Sequence, residues 1–183
     1  NSLADLDRLD ALVDNILFAA KIEREEPGLS YQETNISEAV NLIADKFSHN
    51  KKSITIEKEI ESNIYLNTDP LGFTSVVINL VENAIKYSAE GKHVKIVLKE
   101  DVGNVFLMVA DSGIGISDAD KKRVFDKFYR VGSEDTRNTK GTGLGLYIVK
   151  RVVEIFKGDI SIENNQPVGT IFRCGSGARR ALM

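Results

Sequence analysis

The chain has 183 residues, of which 42% are hydrophobic, so it can bury a sizeable core and fits one ordinary domain plus an additional element. Its net charge of −3 argues against nucleic acid as a partner, because proteins that bind the phosphate backbone usually present a basic face. No apolar run approaches the roughly 18 residues of a membrane span. Cys174 is the single cysteine, which excludes an internal disulfide. We therefore expect a soluble, cytoplasmic segment without membrane contact, and leave open whether a longer protein is anchored.

Residues 1–26 predict one amphipathic helix. Its apolar residues recur at spacings of three and four, which makes a single stripe of Leu3, Leu6, Leu9, Val13, Ile16, Leu17 and Ala20. Either the following domain or the same helix of a second copy must cover this stripe. We favour the second copy, which would make the chain a homodimer. The pair Pro27-Gly28 then indicates a linker and a domain boundary near residue 27.

The next domain is expected to cover residues 27–174 and to begin with short strands and two helices. The first helix opens at a capping box of Asn35 and Glu38, and the second has Asp69 as its N-cap and Pro70 as its first residue. These helices are expected to end near residues 47 and 87. Alternating or apolar segments predict strands at 29–34, 54–57 and 64–66.

The remainder of this domain predicts a hairpin, two further helices and a terminal pair of strands. The hairpin strands, 93–99 and 105–110, meet at the turn Asp101-Val102-Gly103-Asn104. Ser117 is expected to cap a short helix and Thr142 a longer one that ends near residue 156. Terminal strands are expected at 158–163 and 170–173, followed by a flexible tail at 175–183. Because helices and strands mix without strict alternation, the pattern favours a sheet with its helices on one face.

Two glycine clusters flank a basic segment: Asp111-Ser112-Gly113-Ile114-Gly115 and Gly141-Thr142-Gly143-Leu144-Gly145-Leu146. Between Lys121 and Arg151 there are nine Lys or Arg residues against three Asp or Glu residues, a surplus that would attract a small polyanion. A glycine turn can hold an aspartate for an adenine amino group, and a helix start can present N–H groups to phosphates. Each cluster alone is equally typical of an ordinary turn, so only the combination indicates a nucleotide site.

The helix expected at 70–87 carries a polar face opposite its apolar one. Asn79, Asn83 and Lys86 lie on this polar face, because spacings of four and three return to the same side of a helix. Two amide oxygens one turn apart suit a hard cation that shares its remaining ligands with phosphates. A solvated polar face is the alternative for this helix taken alone.

Four segments, in this order, resemble the N, G1, F and G2 boxes of bacterial two-component sensor histidine kinases: 79-NLVENAIKYS, 111-DSGIGI, 125-FDKFYR and 141-GTGLGL. Together with Gly169-Thr170-Ile171-Phe172, the resemblance covers residues 29–173. It implies the catalytic ATP-binding domain of this family, which has the Bergerat (GHKL) fold. That fold is a two-layer α/β sandwich, with a mixed sheet of about five strands covered on one face by three helices. The preceding helix then resembles the end of the dimerisation bundle.

The resemblance also implies which residues form the ATP site. Asn83 and Asn79 would hold Mg²⁺ against the triphosphate, Lys86 and Tyr87 would line the phosphate and nucleoside side, and Asp111 would bind the adenine amino group. Asn79, Asn83 and Lys86 would be the catalytic residues. The other implied nucleotide-binding residues are Gly113, Gly115, Ile116, Phe128, Arg130, Gly141, Thr142, Gly143, Leu144, Gly145, Leu146 and Thr170. Leu144 and Leu146 favour packing over binding.

The segment between the two glycine clusters would form a lid over ATP. Its stretch Ser133–Lys140 contains no apolar residue, so we expect it to be mobile without nucleotide. A glutamate one turn before the magnesium asparagine activates water in the gyrase, Hsp90 and MutL-like relatives, but Asn79 occupies that position here. We therefore expect transfer of the γ-phosphate to a protein, with only slow hydrolysis.

The acceptor histidine of this family, in a motif like Ser-His-Glu-Leu-Arg, is absent from the sequence. The resemblance therefore implies that a dimerisation and phosphoacceptor domain supplies it and that a response regulator receiver domain takes the phosphate. Two alternatives remain open at this point. One is a dimerisation or interaction module without catalysis, and the other is a serine kinase of the anti-sigma-factor type.

Overall fold

The computed structural model describes residues 18–20, 22–23, 28–50, 52–132 and 141–176. Its centre is a five-stranded sheet in which one neighbouring pair is parallel and the other three pairs are antiparallel. In spatial order the strands are β2 (Thr55–Ile60), β4 (His93–Asp101), β5 (Asn104–Asp111), β7 (Thr170–Ser176) and β6 (Gly158–Asn164). A separate antiparallel pair joins β1 (Gln32–Asn35) to β3 (Tyr65–Thr68).

Three of the four named helices pack against the sheet: α1 (Ile36–Phe47), α2 (Pro70–Tyr87) and α4 (Gly145–Ile155), with α3 (Asp118–Lys121) as a short fourth. The central helix α2 also packs against both α1 and α4. Alternate residues of β4, namely Val94, Ile96 and Leu98, are fully buried in the same apolar cluster as Leu80 of α2 and Ile148 of α4. Since alternate strand residues share a face, the helices cover one face of the sheet. The fold is the α/β sandwich with a mixed five-stranded sheet that the sequence predicted.

Local capping chemistry sets where the first two helices begin. The side chain of Asn35 accepts a hydrogen bond from the N–H of Glu38 at 3.2 Å. The N–H of Gly72 donates to Oδ1 of Asp69 at 2.7 Å, and Pro70 opens α2. Both predicted caps are confirmed, because an N-cap oxygen satisfies one of the otherwise unpaired N–H groups of the first turn.

The beginning of α4 differs from the prediction. The helix starts at Gly145 and not directly after Thr142, and the residue in the N-cap position, Leu144, makes no side-chain cap. The hydroxyl of Thr142 instead accepts a hydrogen bond from the N–H of Leu144 at 3.1 Å, two residues ahead. Thr142 therefore stabilises the loop before the helix, and the N–H groups of the first turn of α4 have no side-chain cap.

The final strand runs further than the sequence predicted. Gly175 and Ser176, which we expected in a flexible tail, continue β7 and pair with strands on both sides. Their side chains gave no strand signal, but backbone pairing with β5 and β6 does not depend on side chains. Residues 177–183, the rest of the expected tail, lie outside the described residues.

The described part of the predicted N-terminal helix, residues 18–20 and 22–23, is helical and packs on this domain. Ala19 and Ile22 are 2% and 4% exposed and belong to the same apolar cluster as the sheet, whereas Ala20 of the predicted stripe is exposed. Among residues 18–23, the chain's own domain therefore covers a helix face that contains Ala19 and Ile22. This face differs from the predicted stripe, which contained Ala20. The other stripe residues, 3–17, lie outside the described residues, so the homodimer stays a prediction. Within the described ranges no helix is long and apolar enough to cross a membrane.

Candidate functional site

Asp111, the last residue of β5, is the buried carboxylate of the site, at 5% exposure. Oδ1 accepts hydrogen bonds from the N–H of Gly113 at 2.8 Å and of Thr170 at 3.1 Å, and Oδ2 takes neither of them. Burial raises the pKa of this carboxyl above its ordinary value, although the two N–H donors act in the opposite direction. The backbone thus fixes the orientation of the carboxylate, and Oδ2 accepts no hydrogen bond from these two N–H groups.

The turn after Asp111 leaves no room for a side chain at Gly113. A Cβ there would lie 2.6 Å from the carbonyl oxygen of Tyr87, and the backbones of Ser88 and Gly113 form a β-bridge. The end of α2 therefore contacts the first glycine cluster directly. Asn165 adds a further tie, since its Nδ2 donates to the carbonyl oxygen of Asp111 at 2.7 Å.

The polar face of α2 contains two asparagines in different situations. Asn79 is 9% exposed and its Nδ2 donates to the carbonyl of Ser75 at 2.8 Å, while its Oδ1 faces Gly145 at the start of α4. Asn83 is half-buried, and its side chain makes no hydrogen bond with any described residue. The whole carboxamide of Asn83 is therefore free to meet a ligand, whereas Asn79 uses its Nδ2 within α2 and places its Oδ1 beside Gly145.

Lys86 brings a positive charge to the second glycine cluster. Its Nζ lies 4.8 Å from the ring centroid of Tyr87, and a Cβ on Gly141 would come within 2.6 Å of it. Two predicted phosphate-side residues, Lys86 and Gly141, are thus brought together with the nucleoside-side residue Tyr87. The second glycine cluster thus lies against α2.

The two ends of the expected lid meet at Phe128 and Gly143. The N–H of Phe128 donates to the carbonyl of Gly143 at 3.1 Å, and both residues have positive φ, at 64° and 73°. A Cβ on Gly143 would lie 2.6 Å from the carbonyl carbon of Phe128. The ring of Phe128 is 61% exposed, so it does not serve the core. Residues 133–140, where we expected a mobile segment, lie outside the described residues.

The other predicted site residues divide into packing and surface positions. Leu144 is 1% exposed in the core, and Ile116 and Leu146 pack against that core, as expected for the leucines. Gly115 lies in the turn after Asp111 with φ 75°. Arg130 and Thr142 are half-buried. Thr170, expected to act through its hydroxyl, contacts Asp111 through its backbone N–H.

Three contributors were missed by sequence reasoning. Asn165 is 54 positions from its partner Asp111, and nothing in its neighbourhood marks it. Lys52 donates to carbonyls at the end of α2. Glu23 accepts hydrogen bonds from Nζ of Lys127 and from the hydroxyl of Tyr147, both at 2.6 Å, and these two bonds lower the pKa of Glu23. The last cluster ties Glu23 to Lys127 of the F segment and to Tyr147 of α4.

The donor chemistry of the site fits a cation that is shared with phosphates. Across the described ranges, no group of three or more His, Cys, Asp or Glu residues is placed to hold a metal ion. Magnesium needs few protein ligands when phosphate oxygens and waters fill its other positions. The free carboxamide of Asn83, one turn from Lys86, suits such a shared site.

Sequence comparison with known proteins identifies a family of ATPases and several sensor proteins. Residues 68–176 match the family described as histidine kinase-, DNA gyrase B-, and HSP90-like ATPase. The chain is 39% identical over 125 residues to the sensor protein CiaH of Streptococcus pneumoniae, a match that covers 68% of the chain and 28% of CiaH. It is 34% identical over 170 residues to the sensor histidine kinase WalK of Bacillus subtilis, covering 91% of the chain and 28% of WalK.

Solved structures with the same fold include ShkA and a sensor histidine kinase. Full-length ShkA in complex with AMPPNP superposes with a TM-score of 0.78 at 25% identity, covering 93% of the chain and 36% of ShkA. The mycobacterial sensor histidine kinase MprB superposes with a TM-score of 0.71 at 26% identity, covering 80% of the chain and 97% of the MprB chain. The fold of this chain is thus also the fold of a sensor histidine kinase structure.

The chain belongs to the histidine kinase-, DNA gyrase B-, and HSP90-like ATPase family. Within it, the four boxes and the relatives define an ATP-binding catalytic domain of the sensor histidine kinase type. The chain spans a little over a quarter of the length of the curated relatives CiaH and WalK.

Proposed function

We propose that this chain binds Mg-ATP and transfers the γ-phosphate to a histidine on a dimerisation and phosphoacceptor domain, from which an aspartate of a response regulator takes it. The observation that carries the proposal is the buried Asp111, oriented by the N–H groups of Gly113 and Thr170. Two relatives support its context: ShkA was solved with AMPPNP, and the kinase ThkA was solved in complex with the response regulator TrrA.

The role proposed for Asp111 is to bind the adenine end of ATP. A carboxylate oxygen accepts hydrogen bonds only, which suits the exocyclic amino group of adenine and disfavours the carbonyl oxygen that guanine has at that position. The two backbone donors hold Oδ1, so Oδ2 is the oxygen we assign to the base. Gly113 and Gly115, which have no side chains, would let the backbone of this turn pass close to the flat base.

The role proposed for Asn83 and Lys86 is to bind the phosphate end of ATP together with its magnesium ion. The carboxamide oxygen of Asn83 would ligate magnesium, which when bound neutralises charge on the phosphate oxygens. Lys86 would contact a phosphate directly, from its position beside Gly141. Asn79, the second metal ligand that the resemblance implies, donates to Ser75 through Nδ2, so its Oδ1 beside Gly145 stays available to the same cation. Arg130 and the N–H groups at the start of α4 would face the phosphates when the lid closes.

Hydrolysis should be slow because no carboxylate replaces the water-activating glutamate. Asn79 occupies that position, and an amide cannot accept a proton from water at neutral pH. What the site offers to phosphoryl transfer is positioning of the triphosphate and neutralisation of its charge. The acceptor that we infer is the histidine of the dimerisation and phosphoacceptor domain.

The test is phosphotransfer in a mixture of this chain, labelled ATP, Mg²⁺ and a purified helical fragment of the full-length protein that contains the acceptor histidine. We expect acid-labile, base-stable label on the fragment, and loss of at least about 90% of it with Asn83→Ala. Asn67→Ala, an exposed position on β3, is the matched control and should keep full transfer. Acid-stable label on serine would contradict the histidine assignment, and no label from a chain that binds ATP would contradict the catalytic role.

A further inference from the structure

The ammonium of Lys52 sits at the C-terminal end of α2 and makes three hydrogen bonds there. Nζ donates to the carbonyl oxygens of Ile85 at 3.1 Å, Lys86 at 2.5 Å and Ser88 at 3.0 Å. An ammonium has three protons, so these three bonds use all of its donors. The last carbonyls of a helix lack partners within the helix, and a positive charge there also favours the helix dipole.

A hydrogen-bonded turn from Asn50 to Ile54 positions Lys52 at the end of α2. Oδ1 of Asn50 accepts the N–H of Ile54 at 2.9 Å, and the backbone carbonyl of Asn50 accepts the N–H of Ser53 at 3.2 Å. Ile54 is 2% exposed and anchors the turn in the core. The carbonyl of Lys52 in turn accepts the N–H of Gly91 at 3.1 Å, so its side chain holds the end of α2 and its backbone holds the segment that follows.

The carbonyls that Lys52 holds belong to the residues on both sides of Tyr87. Tyr87 is the residue whose carbonyl oxygen leaves no room for a Cβ on Gly113, and Ser88 forms the β-bridge with Gly113. The N–H of Gly113 then donates to Oδ1 of Asp111. The contacts thus form one continuous series from the ammonium of Lys52 to the carboxylate of Asp111.

We propose that Lys52 is a positioning residue for base recognition: it fixes the end of α2 against Gly113 and thereby orients Asp111 for the adenine amino group. This inference rests on the proposed function of Asp111. Without the ammonium, three carbonyls at the end of α2 lose their common donor. The β-bridge between Ser88 and Gly113 then loses the hydrogen bond that holds Ser88 in place. Base selectivity should then weaken, and not only stability.

The test compares Lys52→Met with the wild-type 183-residue chain by calorimetric titration with ADP and with GDP, both in the presence of Mg²⁺. Methionine keeps an unbranched stem of similar length and removes the donors. We expect the affinity for ADP to fall about fivefold or more and the ratio of ADP to GDP affinity to fall with it. Lys52→Arg, which keeps charge and donors, should recover most of the ratio.

Lys58→Met is the matched control, because Lys58 pairs with Asp45 on the surface, between β2 and α1, away from the site. It should leave both affinities within twofold of the wild type. Lys52→Gln, with one amide donor group, serves if Lys52→Met fails to fold, and should show the same direction of change. An unchanged ADP to GDP ratio in a folded Lys52 variant would overturn this inference while leaving the proposed function intact. A wild-type chain that binds no ADP would overturn the proposed function, and this inference with it.

Discussion

The side chain of Asn79 lies directly against Gly145, the first residue of α4. A Cβ on Gly145 would come within 2.6 Å of Oδ1 of Asn79. The contact joins α2 to the helix start that follows the second glycine cluster, and it places the backbone N–H groups of that start beside the polar face of α2. The glycine is required here by a close approach of two helices.

The first prediction concerns this contact. Gly145→Ala should destabilise the fold and weaken ATP binding, although alanine alone would favour a helix by about 1 kcal/mol over glycine. In an Asn79→Ala background the destabilisation should shrink by about 1 kcal/mol or more, because the oxygen that the new Cβ meets is gone. Urea unfolding of the four members of this double-mutant cycle measures the coupling. Strictly additive free energies of unfolding would show that the two residues do not meet as described.

The second prediction compares two glycines with nearly the same backbone conformation. Gly143 has φ 73° and lies against the backbone of Phe128, whereas Gly103 has φ 77° in the hairpin turn with open space around it. Alanine at either position should cost about 1–2 kcal/mol of backbone strain. Only Gly143→Ala should also lower the affinity for ATP, since it separates the two ends of the lid. Equal ATP affinity in both variants, with calorimetry as the readout, would refute a role of this contact in binding.

The third prediction concerns the thiol of Cys174 on β7. Burial raises its pKa from 9.0 to about 12, so the reactive thiolate is depleted about a thousandfold at neutral pH. A thiol reagent at pH 8 should therefore react with the unfolded chain at least about a hundredfold faster than with the native one. Native and urea-unfolded samples can be compared by absorbance of the released thiolate. Similar rates in both would mean that this strand is not buried in solution.

Local signals in the sequence were sufficient for much of the fold. Asn35 with Glu38, and Asp69 with Pro70, marked the starts of α1 and α2, because caps act within one turn. The turn at Asp101-Val102-Gly103-Asn104 likewise marked the hairpin of β4 and β5, where Asp101 pairs with Asn104. Each of these features depends on residues that are neighbours in the chain.

The features that sequence reasoning missed depend on distant partners. Lys52 reaches carbonyls more than 30 positions away, and Asn165 reaches Asp111 across 54 positions. The amide of Asn79 has the residue type and spacing of a metal ligand, and its oxygen also lies beside Gly145, 66 positions further on, a contact that helix periodicity does not predict. Periodicity places a side chain on a helix face, but only the packing of another element decides what that side chain contacts.

The fourth prediction separates stability from binding at Asp111. Burial raises the pKa of its carboxyl above the ordinary 3.8, so the fold favours the protonated form. The corresponding stability is present below that ordinary value and is lost as pH rises through the raised pKa. Because asparagine does not titrate, Asp111→Asn should not lose stability as pH rises through the raised pKa of Asp111. Its free energy of unfolding at pH 7 should equal or exceed that of the wild type. Between the ordinary and the raised pKa, its free energy of unfolding should depend less on pH.

The most direct measurement is calorimetric titration of the wild type and Asp111→Asn with AMPPNP and Mg²⁺ at pH 7. We expect saturable binding to the wild type and at least tenfold weaker binding to the stable variant, because the amide cannot reproduce a carboxylate that accepts from the adenine amino group. Wild-type affinity should also fall as pH drops through the raised pKa of Asp111. Equal affinity in the two proteins, or no binding to the wild type, would contradict the assignment of Asp111 to the base of ATP.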